Sequence, residues 1–88
     1  ELLVLHMISQ QGHLARSNVA KDAILQTSRS LFAEGTRSVI LAGVSSASSL
    51  LGLVVCQSIG ELRDWSPEES SFVTSVASTL ALTVETTR

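Results

Sequence analysis

Two histidines, one cysteine and eight carboxylates are the whole stock from which this chain could build acid–base, thiol or metal chemistry. A metal site wants His and Cys at spacings such as HxxxH or CxxC, and His6, His13 and Cys56 stand at none of these. A nucleophilic serine wants a strained elbow of the GxSxG type, and none of the fifteen serines has that context. A reactive thiolate wants a helix N-terminus or a neighbouring cation. Cys56, between Val55 and Gln57 in an apolar run, reads instead as a buried, inert thiol. His6 reads as a core or rim histidine bonded to its neighbours, and His13 as a solvated turn residue. Asp22 and Glu34 fall on a helix, Glu61 and Asp64 in a turn, and Glu68 and Glu69 at a cap. No two of them share the apolar setting that drives carboxyl pKa values apart. The five glycines are scattered, so no loop cradles a phosphate. The expectation is no catalytic residue, no metal and no enzyme.

The elements that could position a binding site are easier to read. Glu1–Ser9 is a continuous apolar run closed by a polar stretch and Gly12, and it predicts a strand over 2–9 with both faces covered. Asn18 to Glu34 predicts a helix. Asn18 is its cap, Ala20, Ile24 and Leu31 form its stripe, and Gly35 ends it in a left-handed conformation. Leu25 and Phe32 lie off that stripe, which points to a break in the middle. Thr36–Val44 and Leu50–Ser58 are β-rich runs joined by Ser45–Ser49, a hairpin signal, with Gly52 marking a bulge or a close approach. Ser66-Pro67-Glu68-Glu69 is a capping box with proline at the first helical position. It predicts a helix over 67–86, with Phe72, Val73, Val76, Ala77, Leu80, Ala81 and Val84 on one broad apolar face.

Composition bounds the rest. The 88 residues are 44% hydrophobic and 16% charged, which excludes disorder and limits the chain to one domain. A net charge of −2 argues against nucleic acid and polybasic membrane contacts. A single cysteine permits no internal disulfide, and no uncharged apolar stretch reaches the ~20 residues of a membrane span. These features lead us to expect a cytoplasmic α+β domain, an antiparallel sheet flanked by helices. The opening at Glu1, straight into an apolar run, reads as a piece of a longer polypeptide.

The second half carries a resemblance. Leu31 to Val44, with its Gly35-Thr-Arg-Ser38 turn, is followed by Gly52-Leu-Val-Val-Cys-Gln-Ser58 and then by Arg63-Asp-Trp-Ser-Pro-Glu-Glu69. In order and spacing, residues 31–88 resemble the C-terminal part of a GAF domain, the small-molecule and chromophore-binding fold of bacterial sensor proteins. The strand with Cys56 is similar to one in phytochromes and their relatives. Gln57 stands where those proteins usually have a bilin-contacting histidine, and the attachment Cys-His pair is absent. A covalent bilin is therefore not expected, and the cofactor is unknown. The stretch from His13 to Gly35 is short for the family, so residues 1–88 read as one partial or truncated GAF-like domain.

The resemblance implies a regulatory sensor domain that binds a small molecule or dimerises, and relays a change through its terminal helix. The output module, such as a histidine kinase, would lie in the same polypeptide. A pocket of the family's kind would be lined by His6, Ile8, Ile24, Phe32, Leu41 and Gln57. The alternative is a ligand-free, degenerate GAF-like scaffold for protein–protein interaction. A homodimer is expected from the terminal helix itself. Ser71, Thr74, Ser75, Ser78 and Leu82 share a face with no charged side chain between Glu69 and Glu85, where a solvated helix normally carries several. Three strands also leave sheet edges that another chain or further residues should cover.

Overall fold

The computed structural model describes residues 2–46 and 49–87 and has an α+β architecture. A three-stranded antiparallel sheet, in the order β1-β2-β3, is covered by helices on both faces. Its strands are β1 (His13–Arg16), β2 (Thr36–Ser45) and β3 (Leu50–Ile59). The helices are α1 (Leu2–Gln11), α2 (Ala23–Gln26) and α3 (Pro67–Thr87).

The apolar run at the start is a helix, not the expected strand. Periodicity cannot separate a short buried helix from a buried strand, and this run is dominated by Leu and Met, which favour helix. Its two β-branched residues, Val4 and Ile8, are one turn apart and both fully buried, while Leu3 is left 57% exposed. Gly12, at φ +86°, closes the helix with its N–H on the Ile8 carbonyl at 2.7 Å. The chain then enters β1, a strand hidden in what reads as a polar turn. His13 is exposed there, as expected, and Leu14 is buried.

The long middle helix does not form. A 3₁₀ turn (Val19–Lys21), the single turn of α2 and a second 3₁₀ turn (Arg29–Leu31) take its place. Asp22 explains the break: its carboxylate accepts the N–H groups of Ile24 and Leu25, both at 3.0 Å, and starts a new turn. Asn18 stands before the first turn without a side-chain capping bond. Gly35 does adopt the left-handed conformation, at φ +85°.

The expected hairpin of β2 and β3 forms, with Ile40 opposite Cys56 and Ala42 opposite Val54. Ala47 and Ser48 of its loop lie outside the described residues. The register slips where Val44 faces Gly52 and Ser45 faces Leu50, so the bulge expected near Gly52 falls at Leu51. Side chains alternate across β2. Val39 and Leu41 meet Val4, Ile8, Leu14 and Leu25 on one face; Ile40, Ala42 and Val44 meet Val73, Ala77 and Ala81 of α3 on the other. The first core is built of large side chains, each contributing about 1.5–3 kcal/mol when fully buried. On the α3 side the helix offers two alanines and a valine, so its anchoring depends more on polar ties at its start.

Candidate functional site

Those ties come from the Arg63-Asp-Trp-Ser-Pro-Glu-Glu69 turn. The capping box is reciprocal: Ser66 N–H donates to Glu69 Oε1 at 2.9 Å, and Glu69 N–H donates to Ser66 Oγ at 3.1 Å. Arg63 pairs with the other oxygen of Glu69 and lies 5.0 Å from the Trp65 ring centroid. The Ser66 N–H, helped by the Arg63 charge, holds the Glu69 carboxyl below its ordinary value. Trp65 Nε1 donates to the Arg16 carbonyl at 3.2 Å, which fastens the turn to β1. The buried Ser38 hydroxyl accepts the Arg63 N–H at 2.7 Å and donates to the Ser17 carbonyl at 2.6 Å. Arg63, Trp65, Ser66 and Glu69 thus fix where α3 leaves the sheet. Ser38 stood in the sequence only as the last residue of the Gly35-Thr-Arg-Ser38 turn; nothing there marked it as a buried link to Arg63 and Ser17.

The six residues nominated for a ligand pocket do not enclose one. Ile8 and Leu41 are buried against each other's neighbours, and Ile24 and Phe32 pack on the same core. His6 is exposed on α1. Gln57 holds a turn in place: its Oε1 accepts the Ala33 N–H at 3.1 Å and the Thr36 hydroxyl at 2.9 Å. Phe32 borders an open cleft of about 400 Å³ that it shares with Val19, Gln26, Arg29 and Glu34. The space between sheet and helices is filled by the protein's own side chains.

Cys56 is exposed, against the expectation of a buried thiol. Its position at the outer strand of the sheet explains this: among the described residues β3 has β2 on one side only. Its side chain lies beside Phe72 and Val73, where α3 crosses the sheet. Among the described residues no three His, Cys, Asp or Glu side chains are grouped to hold a metal ion, and no helix is long and apolar enough to cross a membrane.

The outer surface of α3 has two flanks. Ser71, Thr74 and Ser75, from the nominated dimer face, share a depression with His13 and so lean over β1. Ser78 is exposed on the same helix, and Leu82 is 67% exposed. The opposite flank leans over β3 and is more apolar than the sequence suggested. Phe72 is 69% and Leu80 43% exposed, so the broad core face expected of α3 narrows to Val73, Ala77 and Ala81. No protein-family model, curated protein or solved structure matches this chain.

Proposed function

We propose that this chain is a non-enzymatic, GAF-like regulatory module of a cytoplasmic signalling protein. It self-associates and passes a change of packing along α3 to an output module, such as a histidine kinase, in the same polypeptide. One observation carries this reading: α3 is tied at its first turn by the capping box and Arg63 and packs on the sheet through a narrow face of Val73, Ala77 and Ala81, while its long outer surface has no charge from Ser70 to Val84. A helix so clamped at one end and so bare along its length suits contact with another helix or sheet better than contact with water.

Small-molecule binding is the second reading, and the cleft between Phe32, Gln26 and Arg29 is the observation in its favour. It ranks second because the core beneath the sheet is closed, with Val4, Leu25, Val39 and Leu41 all at 0% exposure. Sedimentation of the purified chain across a wide concentration range tests the first reading. A reversible dimer supports it, and a monomer at several hundred micromolar removes it. Leu82→Glu, on the hydroxyl flank, asks whether that flank is the contact.

A further inference from the structure

The sheet has a long outer edge whose backbone groups can be assigned. Gly43 N–H donates to the Gly12 carbonyl at 2.9 Å, so the peptide groups of Gly43 point toward β1. Along a strand this direction alternates, so Ala42 and Val44 point toward β3, opposite Val54 and Gly52. Gly52, Val54 and Cys56 therefore direct their N–H and C=O groups at β2. Leu53, Val55 and Gln57 direct theirs outward, where the sheet has no further strand among the described residues. The strand Leu50–Ile59 carries no charge and no proline, the usual devices that keep an exposed edge from pairing.

We infer that β3 is a dimerisation edge and that its partner is the β3 of a second copy, paired antiparallel about Val55. This rests on the self-association proposed above and assigns it a surface. In that register Val55 faces the partner's Val55 and Leu53 faces the partner's Gln57, so all the outward groups meet outward groups. No like charges are brought together.

A second copy also explains the apolar flank of α3. Phe72 shares a depression with Cys56, and a second depression, lined by Phe72, Ser75, Val76, Thr79 and Leu80, runs on along the helix. The two-fold axis that joins the β3 edges brings the same flank of the partner's α3 across the seam. One symmetric operation thereby covers both the edge and the stripe. A partner of another sequence would have to bring both a strand and an apolar helix in the same geometry.

Sedimentation equilibrium on wild type, Val55→Pro, Phe72→Glu and Leu82→Glu tests this, with circular dichroism as the check on folding. Proline removes an N–H that points away from β2, a position where sheets tolerate it, and also the Val55 side chain that packs on the first core, which is why folding is checked. Should Val55→Pro fail to fold, Phe72→Glu on the exposed helix flank decides. The expected result is a wild-type dimer, weakened by about tenfold or more in Val55→Pro and Phe72→Glu and unchanged in Leu82→Glu. A dimer weakened by Leu82→Glu alone leaves self-association standing and overturns the β3 edge. A wild type that is monomeric throughout overturns both, and open-ended fibres instead of dimers overturn the closed two-fold pairing.

Discussion

Ser38 Oγ, fully buried on β2, accepts the backbone N–H of Arg63 at 2.7 Å and so joins the sheet to the turn that launches α3. The same hydroxyl donates to the Ser17 carbonyl, so one side chain links three segments. Ser38→Ala takes a shared partner from the part-buried Arg63 N–H and Ser17 C=O, which costs about 1–2 kcal/mol. The expected readout is a Tm lower by roughly 5–15 °C in a domain of this size. A Tm within a degree or so of wild type would mean that water replaces the hydroxyl.

Glu69 makes the start of α3 sensitive to acid. The Ser66 N–H and Arg63 hold its carboxyl below the ordinary value of 4.5, so the folded state favours the ionised form. The stabilisation is complete well above that value and is lost as the pH falls through the lower, folded-state pKa. Wild type should therefore lose stability below about pH 4.5 more steeply than Glu69→Gln, which lacks the titrating group. Denaturant melts at a series of pH values check this, and parallel curves for the two proteins would contradict it.

Legibility followed how local each signal was. The capping box and the β2–β3 hairpin are written in adjacent residues and formed as the sequence implied. The run 2–9 was misread because only tertiary context decides whether Val4 and Ile8 lie on a helix face or on opposite sides of a strand. The middle segment breaks, as the off-stripe Leu25 and Phe32 implied, but into separate short turns instead of one helix, and Asp22 contributes by offering the backbone a competing cap. The nominated pocket assumed a cavity between sheet and helices, and Ile8, Ile24, Phe32 and Leu41 occupy that space instead. The exposure of Cys56 and the outward groups of β3 depend on strand order, which no residue spacing reveals.

Gly43 sets how closely α1 approaches the sheet. A Cβ there would stand 2.9 Å from Ile8 Cγ2 and 2.9 Å from Leu50 Cδ1. Leu50 can swing aside, but Ile8 is fully buried and its methyl is fixed near the backbone. Gly43→Ala should cost about 1–3 kcal/mol by overpacking. Urea melts give the value; a neutral substitution would show that α1 shifts without penalty.

Cys56 should react with a maleimide in native, dilute protein without denaturant, because it is exposed. Pairing of the β3 edges buries the surface between Cys56 and Phe72, so the labelling rate should fall as protein concentration rises. A rate independent of concentration in a dimerising sample would place the contact elsewhere.

Amide hydrogen exchange at Val55 measures the pairing of β3 most directly. Its N–H points outward from the sheet, whereas that of Cys56 points at β2. Self-association through β3 predicts that Val55 exchanges fast in dilute protein and becomes protected by about tenfold or more at high concentration, while Cys56 is protected throughout. Exchange at Val55 that stays fast at every concentration, in a sample shown to contain dimer, would contradict it.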